Sequence, residues 1–310
     1  MTAFVAGTRG SALALWQTQL VVDLLRDRAP GRPEVGQRTI TTKGDTSQAD
    51  RLVGQLEKGF FTEELEAALA DRSIQLAVHS LKDLPTRMSP GLCLGAVLER
   101  ANPYDLLMLR PQSVQPGKPL PIGKGARIGS SSLRRASLLA RFAPGAEAVP
   151  LRGNVPTRVE KLRSGQYDGI LLAAAGVQRL ELPLDGLAVF KLDPRAWNPA
   201  PGQGAIGVQC REDDVATRQL LSAIHDPDTE LATSIERDLL RVFEGGCSTP
   251  FGCYVEGNHV WVGLQAHGRW RAARWTLDEE KPDWEPKLAA LSAPDFVETP
   301  HDFESICSPL

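Results

Sequence analysis

The stretch Gly129-Ser130-Ser131-Ser132-Leu133-Arg134-Arg135 sets three hydroxyls and two adjacent guanidiniums at the start of a predicted helix. A helix N-terminus carries partial positive charge and unpaired N–H donors, so a carboxylate or phosphate binds there readily. A short strand, 126–128, leads in, and Ser132 is placed to cap the run 133–142, whose Leu138, Leu139 and Phe142 follow helical spacing. Alone, the stretch reads equally as an arginine pair solvated behind an ordinary cap. Three further segments repeat its character. Gly7-Thr8-Arg9-Gly10-Ser11 precedes a predicted helix over 12–28, and Leu151-Arg152-Gly153-Asn154-Val155-Pro156-Thr157-Arg158 opens another, with Pro156 in its first turn and Gly165 at its end. The apolar strand 74–78 runs into His79-Ser80-Leu81-Lys82-Asp83-Leu84-Pro85. Ligands of open α/β sheets sit outside the carboxyl ends of strands, where all four segments are expected, each at a strand-to-helix handover.

Positioning four such turns requires alternating strands and helices. Strands are predicted at 4–6, 38–41, 74–78, 92–97, 105–109, 126–128, 148–151, 169–173 and 205–209, with helices between them. The Pro- and Gly-rich stretch 111–125 is a surface connection, and 197–204 reads as a hinge. Helical patterns at 215–224 and 229–243 precede a three-stranded meander at 252–256, 259–266 and 270–277, turning at Gly257-Asn258. The tail from 282 onward is weakly patterned. The expected fold class is α/β: two α/β lobes resembling type II periplasmic binding proteins, with mixed, mainly parallel sheets, plus a small α+β C-terminal domain. The expected boundaries are 1–98 with 203–224 for a discontinuous domain 1, 99–202 for domain 2 and 225–310 for domain 3.

Composition narrows the function. The chain has 310 residues, 42% of them hydrophobic, which suits two or three ordinary cores. A net charge of −3 gives no overall field for nucleic acid, and the aromatics are not interleaved with basic residues. The N-terminus lacks the pattern of a signal peptide, and the longest apolar run, 170–175, falls far short of a membrane span. A cytoplasmic, monomeric protein with no membrane or nucleic-acid partner is the expectation. Five cysteines without a CxxC pair, and five scattered histidines, give neither a disulfide framework nor a metal site.

One cysteine stands apart. Glu244-Gly245-Gly246-Cys247-Ser248-Thr249-Pro250-Phe251-Gly252 holds a thiol among glycines between a helix and the meander, accessible by its flexibility. The alternative is a spare loop cysteine, or one paired with Cys253.

Together these residues resemble the porphobilinogen deaminase family over roughly 4–256. The resemblance rests on Thr8-Arg9-Gly10-Ser11 with Ala14-Leu15-Trp16-Gln17, Thr42-Lys43-Gly44-Asp45, Lys58-Gly59-Phe60-Phe61, and Val78 through Pro85. It continues through Gly129 to Arg135, Leu151 to Arg158, Pro201-Gly202-Gln203-Gly204-Ala205 and Gly245-Gly246-Cys247. Ala12, Ser130 and Phe60 depart from the family's usual proline, threonine and leucine. The resemblance implies a transferase that deaminates porphobilinogen and joins four units head to tail into the linear tetrapyrrole hydroxymethylbilane, growing on a dipyrromethane cofactor held covalently by Cys247. It assigns cofactor binding to Lys82, Ser131, Arg134, Arg135, Arg152 and Gly153. Substrate binding falls to Arg9, Ser11, Gln17, Arg152, Arg158, Arg179 and Phe61.

Each substrate ring brings an acetate and a propionate, which the planar fork of arginine pairs bidentately. Loss of ammonia gives a cationic azafulvene, so a fixed carboxylate on the pyrrole N–H stabilises the developing charge. Asp83 is implied as that catalytic group; from the residues alone it reads as a helix N-cap or an ion pair with Lys82. Phe61 and Leu81 are expected as apolar walls for the rings, and 45–57 as a lid. The competing reading is a two-lobed binding module for an anionic ligand, without catalysis. Such a module needs neither Cys247 nor a carboxylate beside Lys82.

Overall fold

The computed structural model describes residues 4–42, 62–244, 250–277, 282–297 and 306–310. The chain divides into two compact units, 1–101 with 202–234 and 102–201 with 235–310. The first pass through unit 1 forms β1 (Phe4–Thr8), α1 (Ala12–Arg28), β2 (Val35–Thr39), α2 (Glu63–Ala70), β3 (Leu76–Ser80) and β4 (Leu92–Val97). Unit 2 then builds β5 (Asp105–Leu109), β6 (Arg127–Gly129), α3 (Leu133–Phe142), β7 (Glu147–Val149), α4 (Val155–Arg163), β8 (Gly169–Ala173), α5 (Ala174–Arg179) and β9 (Ala188–Leu192). The chain returns through β10 (Ile206–Arg211), α6 (Val215–Leu221) and α7 (Pro227–Glu244). It ends with β11 (Phe251–Glu256), β12 (His259–Ala266), β13 (Arg269–Thr276), α8 (Trp284–Ser292) and β14 (Cys307–Pro309).

Unit 1 is a five-stranded sheet in the order β2-β1-β3-β10-β4. α1 packs on it because Val21 and Leu25 fall on one face; with Ala6, Val78 and Val208 they form a fully enclosed core. On the other side Leu65 and Leu69 of α2 meet Ile74 and Ala77. Gly7 permits that approach: a Cβ there would lie 2.4 Å from Ile74 Cδ1. Unit 2 carries a six-stranded sheet, β14-β9-β5-β8-β6-β7, and the separate meander β11-β12-β13. The fully buried runs Leu106–Leu109 and Ile170–Leu172 form its centre, as a sheet covered on both faces demands.

Both sheets of the α/β units are mixed, as expected, but the weight on parallel pairing needs correction. In unit 1, β1 pairs parallel with β2 and β3, whereas β10 is antiparallel to both β3 and β4. In unit 2 the parallel pairs are β6 with β7 and β8; β5, β9 and β14 pair antiparallel. β5 and β10, the first strands after the chain passes into unit 2 and back into unit 1, pair only antiparallel, whereas parallel neighbours require a crossover connection. The meander has the expected turn, and the strands at 92–97, 105–109 and 169–173 have the expected limits. β9, β14 and α8 went unread: Ala188–Leu192 follows a Pro- and Gly-punctuated stretch, and a three-residue edge strand has no pattern to detect. Among the described residues no helix is long and apolar enough to cross a membrane.

Candidate active site

In unit 1, β1 and β3 are parallel neighbours, with Ala6 opposite Leu76 and Gly7 opposite Ala77. Their carboxyl ends share one edge of the sheet, so the turns holding Arg9 and Ser11, and Lys82 and Asp83, arise side by side. Ser11 is the N-cap of α1 and accepts from Ala14 N at 3.3 Å. Gln17 is buried further along the helix, its amide hydrogen-bonded to Ser80 Oγ at 3.0 Å, which fixes α1 to the end of β3. Lys82 Nζ donates to Gln203 Oε1 at 3.4 Å, and Gln203 is itself buried.

The third strand end differs from expectation. Leu81–Asp83 is a single 3-10 turn stopped by Leu84 and Pro85, so no helix follows and Asp83 caps none. The Asp83 side chain is exposed, and no hydrogen bond or ion pair engages its carboxylate among the described residues. Leu81, expected as a wall for ligand rings, is instead fully buried with Leu84, Val97 and Ala205. That packing makes the turn a rigid mount: the apolar side chain points in while its neighbours Lys82 and Asp83 point out. His79, just before it, is 6% exposed; burial pushes its pKa down to about 4, with Arg9 adding to the effect and Gln209 opposing it.

In unit 2, β6 and β7 are likewise parallel neighbours, with Gly129 opposite Val149, and each is followed by a capped helix. Ser132 caps α3 by accepting from Arg135 N, and Asn154 caps α4 by accepting from Thr157 N at 3.0 Å. Ser131 stitches the two turns together: its hydroxyl donates to Leu151 O at 2.8 Å and accepts from Leu151 N at 3.2 Å. Gly153 has φ of +116°, a conformation a side chain would strain, and a Cβ there would lie 2.8 Å from Thr157 Cγ2. Arg152 is exposed beside it, while Arg158 Nε donates back to Gly153 O at 2.7 Å. Arg179 ends α5, roughly 9 Å along the helix from the strand end; burial pushes it down to about 10.

Arg134 and Arg135 are not solvated surface charges. β5 runs antiparallel to β8, so its first residue, Asp105, lies opposite Ala173 at the same sheet edge. Asp105 is fully buried, and its carboxylate receives Arg135 Nε at 3.0 Å, Arg135 Nη2 at 2.7 Å, Arg134 Nη2 at 2.9 Å and Trp197 Nε1 at 2.9 Å. Arg134 Nη1 also donates to Asn198 O at 2.7 Å, and Arg135 Nη1 to Leu171 O at 3.1 Å. Burial draws the Arg134 guanidinium's pKa down, and Asp105 is the chief influence opposing it. Two buried cations on one carboxylate leave one positive charge over at the start of α3. Sequence reasoning missed Asp105, Trp197 and Asn198, although an acid leading the otherwise apolar strand Asp105–Leu109 was a visible signal.

Asn198 also meets β11. Cys253 N donates to Pro199 O at 2.9 Å, and a Cβ on Gly252 would lie 2.6 Å from Asn198 O, so only glycine fits there. The strand that follows Cys247 in the chain thus starts against the residue that receives Arg134. Cys247, Phe61 and 45–57 lie outside the described residues.

Fold and geometry define an α/β protein whose parallel strand ends collect arginines, hydroxyls and helix N-termini suited to a ligand rich in carboxylates. A family model described as "Porphobilinogen deaminase, dipyromethane cofactor binding domain" matches residues 4–219. The chain belongs to the porphobilinogen deaminase family. It is 45% identical over 252 residues to a porphobilinogen deaminase of Desulforamulus reducens, covering 81% of this chain and 79% of that one. A porphobilinogen deaminase of Syntrophobacter fumaroxidans is 43% identical over 263 residues, covering 84% and 83%. Among solved structures, the VFT2 domain of Bordetella pertussis BvgS aligns with a TM-score of 0.42 at 16% identity, covering 76% of this chain and 91% of that one.

Proposed function

We propose that this chain deaminates porphobilinogen and joins four units into hydroxymethylbilane on a dipyrromethane attached by a thioether to Cys247. Membership of the family supports the tetrapyrrole-forming transferase and its dipyrromethane cofactor. The observation that carries the residue assignment is the pairing of cationic turns at adjacent parallel strand ends, one of which also offers the carboxylate of Asp83. The dipyrromethane supplies, when bound, a primer with a free pyrrole α-carbon. Its acetates and propionates fit the surplus positive charge at the start of α3 and the exposed Arg152 beside Gly153; Lys82, Ser131, Arg134 and Arg135 complete the set that would hold it. Arg9, Ser11, Arg158 and Arg179, with Gln17 fixing α1, bind the incoming ring, and the family resemblance adds Phe61, which lies outside the described residues.

Asp83 accepts the pyrrole N–H of the reacting substrate. Leu81 anchors the turn from behind, so the carboxylate needs no reorganisation as positive charge develops. The three-part division at 1–98 with 203–224, 99–202 and 225–310 belongs to the same reading. Among the described residues the meander is hydrogen-bonded to no other sheet, although Trp270 and Ala272 pack into the core of its unit.

Intact mass tests the proposal. Protein made in cells that synthesise porphobilinogen should exceed the mass of the 310-residue chain by two pyrrole units and, denatured, titrate four thiols of five. Cys247→Ser should lack both the added mass and turnover, since an alcohol is a far poorer nucleophile than a thiolate. An unmodified wild-type mass with five free thiols refutes the covalent attachment.

A further inference from the structure

Two cysteines with no part in the site are brought together by sheet register. β4 and β10 pair antiparallel with Cys93 directly opposite Cys210, and the two Sγ atoms lie 3.7 Å apart. Directly opposed residues of antiparallel strands have Cα atoms about 4.5–5.5 Å apart, inside the roughly 4.4–6.8 Å that a disulfide spans. Nothing stands between the sulfurs. The next residue of β4 on that face is Gly95, where a Cβ would lie 2.7 Å from Cys210 Sγ, so the glycine leaves the thiol room to turn. Cys210 is fully buried, whereas Cys93 is half-buried and lines an open pocket of about 600 Å³ with Arg218 and His225.

We propose that Cys93 and Cys210 form an oxidative modification site, a cross-strand dithiol that a peroxide converts to a disulfide. The Cys93 thiolate attacks one peroxide oxygen, breaking the O–O bond and giving a sulfenic acid with release of hydroxide, which takes up a proton to become water. Cys210 sulfur then displaces the sulfenic oxygen as a second water, forming the S–S bond and losing its proton. Two thiols and one hydrogen peroxide thus give one disulfide and two waters. The order follows from access and acidity. The pocket admits peroxide to Cys93, while burial pushes the Cys210 thiol up to about 12, leaving it a poor first nucleophile. Its adjacency compensates in the second step, which is intramolecular across one sheet register.

The bond would join two strands with a particular place in the chain. The main chain leaves unit 1 just after β4 and re-enters it just before β10, so the closed loop would contain the 102–201 segment and both connections.

The experiment uses the full-length protein carrying its cofactor, treated with a small molar excess of hydrogen peroxide. Free thiols are then alkylated in denaturant, and the protein is analysed by intact mass and by non-reducing peptide mapping. Expected are two fewer alkyl groups than in the untreated protein together with the loss of about 2 Da for two hydrogens, both reversed by dithiothreitol before alkylation, and a cross-linked peptide pair containing Cys93 and Cys210. Cys93→Ser and Cys210→Ser should each abolish both signals; Cys253→Ser should change neither. Over-oxidation of Cys93 to sulfinic acid without a cross-link, a cross-link equally frequent among other cysteines, or retention of all free thiols overturns the proposal.

Discussion

Replacing Asp105 tests whether the arginine pair is held as a buried electrostatic unit. Asp105 is fully buried, with Arg134 and Arg135 side chains only 6% and 9% exposed around it. Asp105→Asn keeps shape and volume but removes the charge, and it turns NH₂ donors toward guanidinium donors. Removing one partner of a buried ion pair costs about 3–5 kcal/mol, and here one carboxylate serves two cations. Leaving the Trp197 indole N–H unpaired adds about 1–3 kcal/mol, although the contributions overlap and do not sum. A loss of at least ~4 kcal/mol is expected, a large share of the roughly 5–15 kcal/mol that typically holds a domain. Because the chain has two units, urea unfolding should be followed by tryptophan fluorescence alongside far-UV circular dichroism; five of the six tryptophans fall in unit 2, so the transition that dominates the fluorescence is assigned to it. Trp197→Phe is the control, since losing that one hydrogen bond to a charged group should cost about 1.5–3 kcal/mol. A loss for Asp105→Asn below about 1 kcal/mol, or one that largely disappears in ~0.5 M salt, would refute a buried unit and return the arginines to solvent.

Asp83→Asn should leave the urea midpoint and the cofactor mass unchanged, because the carboxylate is exposed and engages no described partner. Single-turnover release of ammonia should nevertheless fall about 10²–10³-fold, or roughly 3–4 kcal/mol of transition-state stabilisation; near wild-type rates would remove Asp83 from the chemistry. His79 makes stability depend on pH. Its folded pKa of about 4 lies below the ordinary 6.5, so between these values the unfolded chain binds a proton that the folded chain refuses. The contribution is complete above pH 6.5 and is lost as pH falls toward 4, by at most about 1.4 kcal/mol per unit. Comparing urea midpoints of wild type and His79→Gln from pH 7.5 down to 4.5 should show the wild type losing more; parallel curves would refute it.

What could be read from the sequence was what local chemistry decides. The capping hydroxyl of Ser132 and the limits of α1 and α3 follow from residues within one turn, and each was legible. The four strand-end turns were also legible, because a strand-to-helix handover is a local event, and only Leu81–Asp83 stopped short at Pro85. What escaped depends on register between distant strands. Nothing near Arg134 in the chain foretells that Asp105, in antiparallel β5, would arrive beneath it, or that Cys93 would face Cys210 across 117 positions. Leu81 was misjudged for a related reason: a leucine within a functional motif reads as ligand contact until the cluster with Val97 and Ala205 is known.

The Asp105 cluster also bears on how cations can serve a site without being solvated. A free arginine pair at a helix start would be surrounded by water, and its attraction for a carboxylate correspondingly screened. Asp105 allows both guanidiniums to be buried by offsetting one of the two charges, and the N-terminus of α3 adds its partial positive charge to the remainder. The surplus therefore acts from a low-dielectric mount on whatever anion meets that edge. Full neutralisation by a second acid would secure the fold and remove the attraction. Omitting Asp105 would leave two like charges buried together, at a cost few folds could bear. One acid for two arginines is the arrangement that keeps unit 2 folded and its strand ends positive.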